Sequence, residues 1–185
     1  PISGLFSTQQ GLTELVVATN LLTGNIEDVM ESAQHGNLIL NAAYNALTGP
    51  LPKSLDSGLY QSVVLTDNCL TGHLPMESLC ANTNMTELLL SGLHSSSACR
   101  SRAFDRSSGL GLYSSYFESL SVGGTVAGCL FELPQLKYLA LSGNYLTGSL
   151  PQSLTVQTSL QELDLSHNAL EGRLPEALVQ ANFTL

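Results

Sequence analysis

A segment of about two dozen residues recurs along this chain, and the recurrence limits the fold more than any other feature. LKYLALSGNYLTGSLPQSL at 136–154 returns as LQELDLSHNALEGRLPEAL at 160–178, and related copies stand at 12–26, 38–55 and 62–75. Each copy places an Asn after a short apolar stretch: Asn20, Asn45, Asn68, Asn144 and Asn168. Leu93 and Leu120 take that position in two degenerate copies, LLLSGLHSS and YFESLSVGGTV. A unit this short cannot enclose a core of its own, so copies must stack on one another. The register predicts seven coils, centred on Asn20, Asn45, Asn68, Leu93, Leu120, Asn144 and Asn168, after a partial repeat at 1–11. Both ends fall inside a repeat without a polar cap, so the expectation is an uncapped piece, 1–185, of a longer array.

Within each copy the side chains of a Leu-x-Leu pair, such as Leu139 and Leu141, point the same way from a short strand while their neighbours point outward. Stacking turns equivalent leucines into continuous buried lanes, worth roughly 1.5 to 3 kcal/mol per fully buried side chain. A turn leaving the strand exposes backbone donors and acceptors inside the coil. A buried Asn amide can satisfy them, where an unpaired group costs about 1–3 kcal/mol. Leu93 and Leu120 cannot, so the fourth and fifth coils are expected to be the least regular.

Composition narrows the function. The formal charge is −9 with six Lys and Arg, too few for the basic patch that nucleic acid or anionic lipid requires. No apolar run approaches the roughly 18 residues of a membrane span. Catalytic motifs are absent, and His35, His73, His94 and His167 are scattered among coils without a nucleophile or acid beside them. The segment SSGLGLYSS at 107–115 lacks the third Gly of a dinucleotide loop, and no Cys/His spacing suits zinc. The expectation is a protein that is not an enzyme and holds no cofactor or metal.

The consensus LxxLxLSxNxLTGxLPxxL, read directly at 136–154, resembles the plant-type (plant-specific) leucine-rich repeat family. Its most specific element, LTGxLP, stands intact at 47–52, 70–75 and 146–151 and is recognisable as LEGRLP at 170–175. It is altered in LTGNIE at 22–27, SSSACR at 95–100 and VGGTVA at 122–127. The resemblance implies an α/β-type repeat solenoid with a parallel β-sheet on its concave face and a second row of short strands or turns beside it. It also implies an extracellular or cell-surface, receptor-like or secreted module that binds a protein, peptide or glycan. Inhibition of a secreted hydrolase is a special case of that reading. The alternative is a structural surface, cell-wall or filament glycoprotein whose solenoid self-assembles.

Outward positions that vary from coil to coil are the candidate binding surface, unless they are merely solvated. Three lanes run through Val16, Ala18 and Thr19 and their equivalents. Aromatic and charged groups within them mark Tyr44, Asp67, Tyr116, Glu118, Asp164 and His167 as partner-binding candidates. Four cysteines allow three pairings. The register puts Cys99 on the return side of the fourth coil and favours Cys80–Cys99, leaving Cys69 and Cys129 open. Asn84 in NMT and Asn182 in NFT match the N-glycosylation acceptor pattern.

Overall fold

Three to five residues of alternating pattern form each strand of the main sheet. In the computed structural model, which describes residues 11–30, 36–92, 99, 122–181 and 183, these are β1 (Glu14–Val16), β3 (Leu38–Asn41), β5 (Tyr60–Val64), β8 (Glu87–Leu89), β10 (Tyr138–Ala140) and β12 (Glu162–Asp164). They pair in parallel in that order, as one sheet. Parallel neighbours need a return path. A second row of short strands begins it: β2 (Thr23–Asn25), β4 (Ala46–Gly49) and β6 (Cys69–Leu70), then β7 (Gly72–His73), β9 (Val122–Gly124), β11 (Tyr145–Ser149) and β13 (Ala169–Glu171). Short helical turns complete it, among them α1 (Ile26–Met30), α2 (Met76–Ala81), α3 (Glu176–Gln180) and the 3-10 turns Lys53–Ser57 and Gly128–Glu132. This is a solenoid with a parallel sheet along one face.

The leucine lanes are as the periodicity requires. Leu40, Val63, Leu88 and Leu139 stack behind the main sheet with no exposed surface, as do Leu47, Leu70 and Leu146 behind the second row. The Asn lane lies between them. Asn68 donates to the carbonyls of Ala42 in the preceding coil (2.9 Å) and Leu65 in its own (3.0 Å). Its Oδ1 accepts from the Leu47 N–H at 3.0 Å. Asn45 repeats this with Val17, Ala42 and Leu22, and Asn168 with Leu141, Leu165 and Leu146. Each amide therefore ties the turn of one coil to the backbone of the coil before it.

The coil count differs from the sequence reading. Glu87, Leu88 and Leu89 of β8 pair directly with Tyr138, Leu139 and Ala140 of β10, so nothing from the intervening chain enters the sheet there. The sheet has six strands among the described residues. Val122–Gly124, assigned above to a fifth coil, instead pairs with β7 on one side and β11 on the other. It is therefore the second-row strand of the same coil as β8. The Leu93 and Leu120 positions, read as the turns of two coils, bracket an insertion within one. Both residues lie outside the described set, as do residues 1–10 of the expected partial repeat 1–11. The Asn ladder registers the interruption. Asn144 still donates across the coil boundary to the Leu90 carbonyl at 2.9 Å, but its buried Oδ1 has no donor among the described residues.

The merged coil also corrects the cysteine pairing. The disulfides are Cys69–Cys99 and Cys80–Cys129, with Cα separations of 5.4 and 5.6 Å, and not Cys80–Cys99. With 122–132 as the true return side of that coil, its 3-10 turn sets Cys129 beside Cys80 of α2 on the preceding coil. Cys99 belongs to the insertion and is buried against Cys69 and Ala46 of the second row. All four cysteines are consumed.

Candidate recognition surface

Strand alternation sends four lanes of side chains out of the main sheet. Register pairs Glu14, Ile39, Ser62, Glu87, Tyr138 and Glu162 in the first, and Val16, Asn41, Val64, Leu89, Ala140 and Asp164 in the second. The third holds only small residues: Ala18, Ala43, Thr66, Ser91, Ser142 and Ser166. The fourth holds Thr19, Tyr44, Asp67, Gly92, Gly143 and His167.

Beyond the strands proper, the last two lanes continue the ladder. The N–H of Thr19 donates to the carbonyl of Ala43, that of Tyr44 to Thr66, and that of Asp67 to Ser91. Gly92 donates in the same way to Ser142, and Gly143 to Ser166, at 2.8–3.0 Å throughout. To turn the chain toward the Asn lane, every residue of the fourth lane adopts a left-handed conformation. Its φ is 58° at Thr19, 56° at Tyr44, and 53° at both Asp67 and His167, with Gly92 and Gly143 at 72° and 66°. Glycine, aspartate and histidine tolerate this region better than other residues. Threonine and tyrosine do not, so those two positions carry backbone strain.

Of the six partner-binding candidates, four are described and all lie on this face. Tyr44 is 56% exposed, His167 is exposed, and Asp67 and Asp164 are half-buried. Tyr116 and Glu118 lie outside the described residues, as does the acceptor Asn182. Asn84 is exposed just ahead of β8, away from the four lanes, and its amide donates to the Gly58 carbonyl at 3.3 Å.

The two carboxylates are held differently. Burial raises the Asp164 carboxyl's pKa. Hydrogen bonds from the Ser166 backbone (3.0 Å) and hydroxyl and from Ser142, with His167 nearby, outweigh that and hold it below the ordinary range. The Ser142 and Ser91 hydroxyls share a further hydrogen bond at 2.9 Å. Asp67 has no such support among the described residues, and burial holds its carboxyl above the ordinary range. Its Oδ1 lies over Gly92, 2.5 Å from where a Cβ would stand, so only glycine at 92 leaves it room.

The first lane was missed by the sequence reading. Its signal was present, because the residue preceding each inward Leu also points outward. That lane contributes exposed Glu14, Tyr138 and Glu162, and Glu87 hydrogen-bonded to the Ser62 hydroxyl at 2.5 Å.

Among the described residues no cluster of His, Cys, Asp or Glu is grouped to hold a metal ion, and no helix is long and apolar enough to cross a membrane. Comparison with known proteins agrees with this architecture. The profile of a family described as leucine rich repeat matches residues 125–170. No curated protein sequence matches the chain. Among solved structures, the plant peptide hormone receptor RGFR1 in complex with RGF2 is 24% identical, with a TM-score of 0.69 over 95% of this chain and 24% of its own. PEPR1–AtPEP1 is 28% identical, with a TM-score of 0.63 over 96% of this chain and 24% of its own. A plant ice-binding protein is 24% identical, with a TM-score of 0.69 over 99% of this chain and 50% of its own. The chain thus spans about a quarter of the length of those receptors, and likeness at 24% identity establishes the fold alone.

Proposed function

We propose that this chain, a leucine-rich repeat solenoid resembling the plant type, is an extracellular recognition module that binds a protein, peptide or glycan on the concave face of its solenoid. Tyr44 carries the reading. A left-handed backbone at a non-glycine residue costs about 1–2 kcal/mol. A side chain more than half in solvent recovers little of that through burial. A strained, exposed aromatic on an open sheet face serves contact with a partner better than it serves the fold.

The two disulfides support an oxidising, extracellular setting. Asn84, exposed and off the concave lanes, is a glycan acceptor that leaves the face open. Of the similar structures, RGFR1 is a peptide hormone receptor in complex with RGF2 and PEPR1 is paired with AtPEP1, which favours a peptide.

The test is selection of binders from a displayed random-peptide library on the immobilised protein. Selected peptides are expected to bind at least about tenfold more weakly to Tyr44→Ala or Ser142→Trp, the loss typical of a hot-spot residue. Binders indifferent to both substitutions would place recognition elsewhere.

A further inference from the structure

The concave face has a charge as well as a shape. Its six strands carry four carboxylates, Glu14, Glu87, Glu162 and Asp164, and no lysine or arginine. Asp67 adds a fifth just beyond β5, while among the described residues Lys137, immediately ahead of β10, is the lysine or arginine nearest these strands in sequence. Tyr138 stands between Glu87 and Glu162 in register, so one exposed aromatic ring is flanked by carboxylates from both neighbouring strands. An aromatic face among carboxylates is a setting that attracts a guanidinium or ammonium group.

Among the described residues the contour between Asp67 and Asp164 is low. The two coils separating them present Ser91, Gly92, Ser142 and Gly143, and the two serine hydroxyls are tied to one another. A peptide backbone can approach closely there. Asp164 is already oriented by its serine partners, whereas the Asp67 carboxylate receives no hydrogen bond or ion pair from any described residue.

Resting on the concave-face reading above, we propose that the partner is a cationic peptide segment lying extended across the coils, with two basic side chains four residues apart that engage Asp67 and Asp164. The spacing follows from the sheet. From β5 through β8 and β10 to β12 is three strand steps, about 14 Å at roughly 4.8 Å each. Asp67 also lies three residues beyond the position in register with Asp164, an offset of at most about 10 Å, so the two carboxylates are about 14–17 Å apart and long basic side chains splaying from the peptide cover the excess over its backbone spacing. An extended chain rises about 3.3 Å per residue and returns to the same face every second residue, so positions i and i+4 lie about 13 Å apart on one side.

The experiment titrates the protein with short Ser/Thr/Gly peptides of defined charge. One carries two arginines four positions apart, one carries adjacent arginines, and one carries two glutamates four apart. The first should bind at least about tenfold more tightly than either of the others and lose that advantage with Asp67→Asn or Asp164→Asn. Asparagine tolerates the left-handed backbone at 67 and retains the side-chain acceptor at 164, so both variants keep the fold. Equal binding of the three peptides, or binding unchanged in both variants, would overturn the proposal. If library-selected peptides still depend on Ser142 but show no basic pair, this inference fails while concave recognition stands. If no peptide depends on either Tyr44 or Ser142, the concave reading itself fails.

Discussion

Asn68→Ala removes the best-connected rung of the Asn ladder, and its cost can be worked out from the groups it strands. The side chain is fully buried. It donates to Ala42 O at 2.9 Å and Leu65 O at 3.0 Å, with a longer bond to Thr66 O at 3.4 Å, and accepts from Leu47 N at 3.0 Å. Alanine leaves at least two buried backbone groups without this partner, each at about 1–3 kcal/mol. A loss of about 3–5 kcal/mol is expected. Asn20→Ala is the internal control, because Asn20 is exposed and its partners Val17 O and Ala18 O lie where water can replace the amide. It should cost under about 1 kcal/mol. Asn68→Asp preserves shape and acceptor but removes both donors, and should be nearly as damaging as alanine. Urea denaturation with slopes fitted for each variant measures all three. If Asn68→Ala lies within about 1 kcal/mol of Asn20→Ala, the amide ladder does not hold the coils together and the argument for that lane is wrong.

Other outcomes are as specific. Gly49→Ala places a Cβ 2.0 Å from Asn25 Oδ1 on a backbone with φ of 91°, and should lower stability by about 2–3 kcal/mol in thermal unfolding. Gly72→Ala, whose nearest neighbour is Pro50 Cβ at 3.4 Å, should lose about 1 kcal/mol through backbone strain alone. Mass spectrometry of an unreduced digest should find Cys69 linked to Cys99 and Cys80 to Cys129, and a Cys80–Cys99 peptide would contradict the merged coil. By loop length each bridge constrains the unfolded chain by about 4 kcal/mol, so Cys80→Ser should lower the melting temperature markedly. The lowered pKa of Asp164 means that its contribution is present above the ordinary carboxylate range and lost as pH falls through its folded-state value. Asp67 has the opposite sign. Its raised pKa costs stability at neutral pH, and Asp67→Asn should stabilise the protein there, with the difference shrinking as the carboxylate is protonated.

The solenoid was legible because its cause is local. Each Leu-x-Leu pair and each LTG turn dictates its own conformation from within one repeat, and repetition forces identical faces to stack, which is why Leu88, Leu139 and the Asn residues sit where the period puts them. The outward lanes followed from the same alternation, although the acidic first lane was overlooked. The backbone strain at Tyr44 and Thr19 was not legible, since a residue's φ depends on the ladder bonds that its neighbours make across coils.

What the amino-acid sequence determined alone was the kind of coil: its length, its buried lanes and its amide ladder. What only the tertiary structure decided was how many coils enter the sheet and which cysteines meet. YFESLSVGGTV carries the apolar spacing of a coil, yet β8 takes β10 as its partner, and Leu88 finds Leu139 rather than anything between them. Strand pairing is a choice among partners remote in the chain, made by hydrogen bonds and buried surface that exist only after stacking. That choice moved Val122–Gly124 into the coil of β8, brought Cys129 to Cys80, and left Cys99 for Cys69.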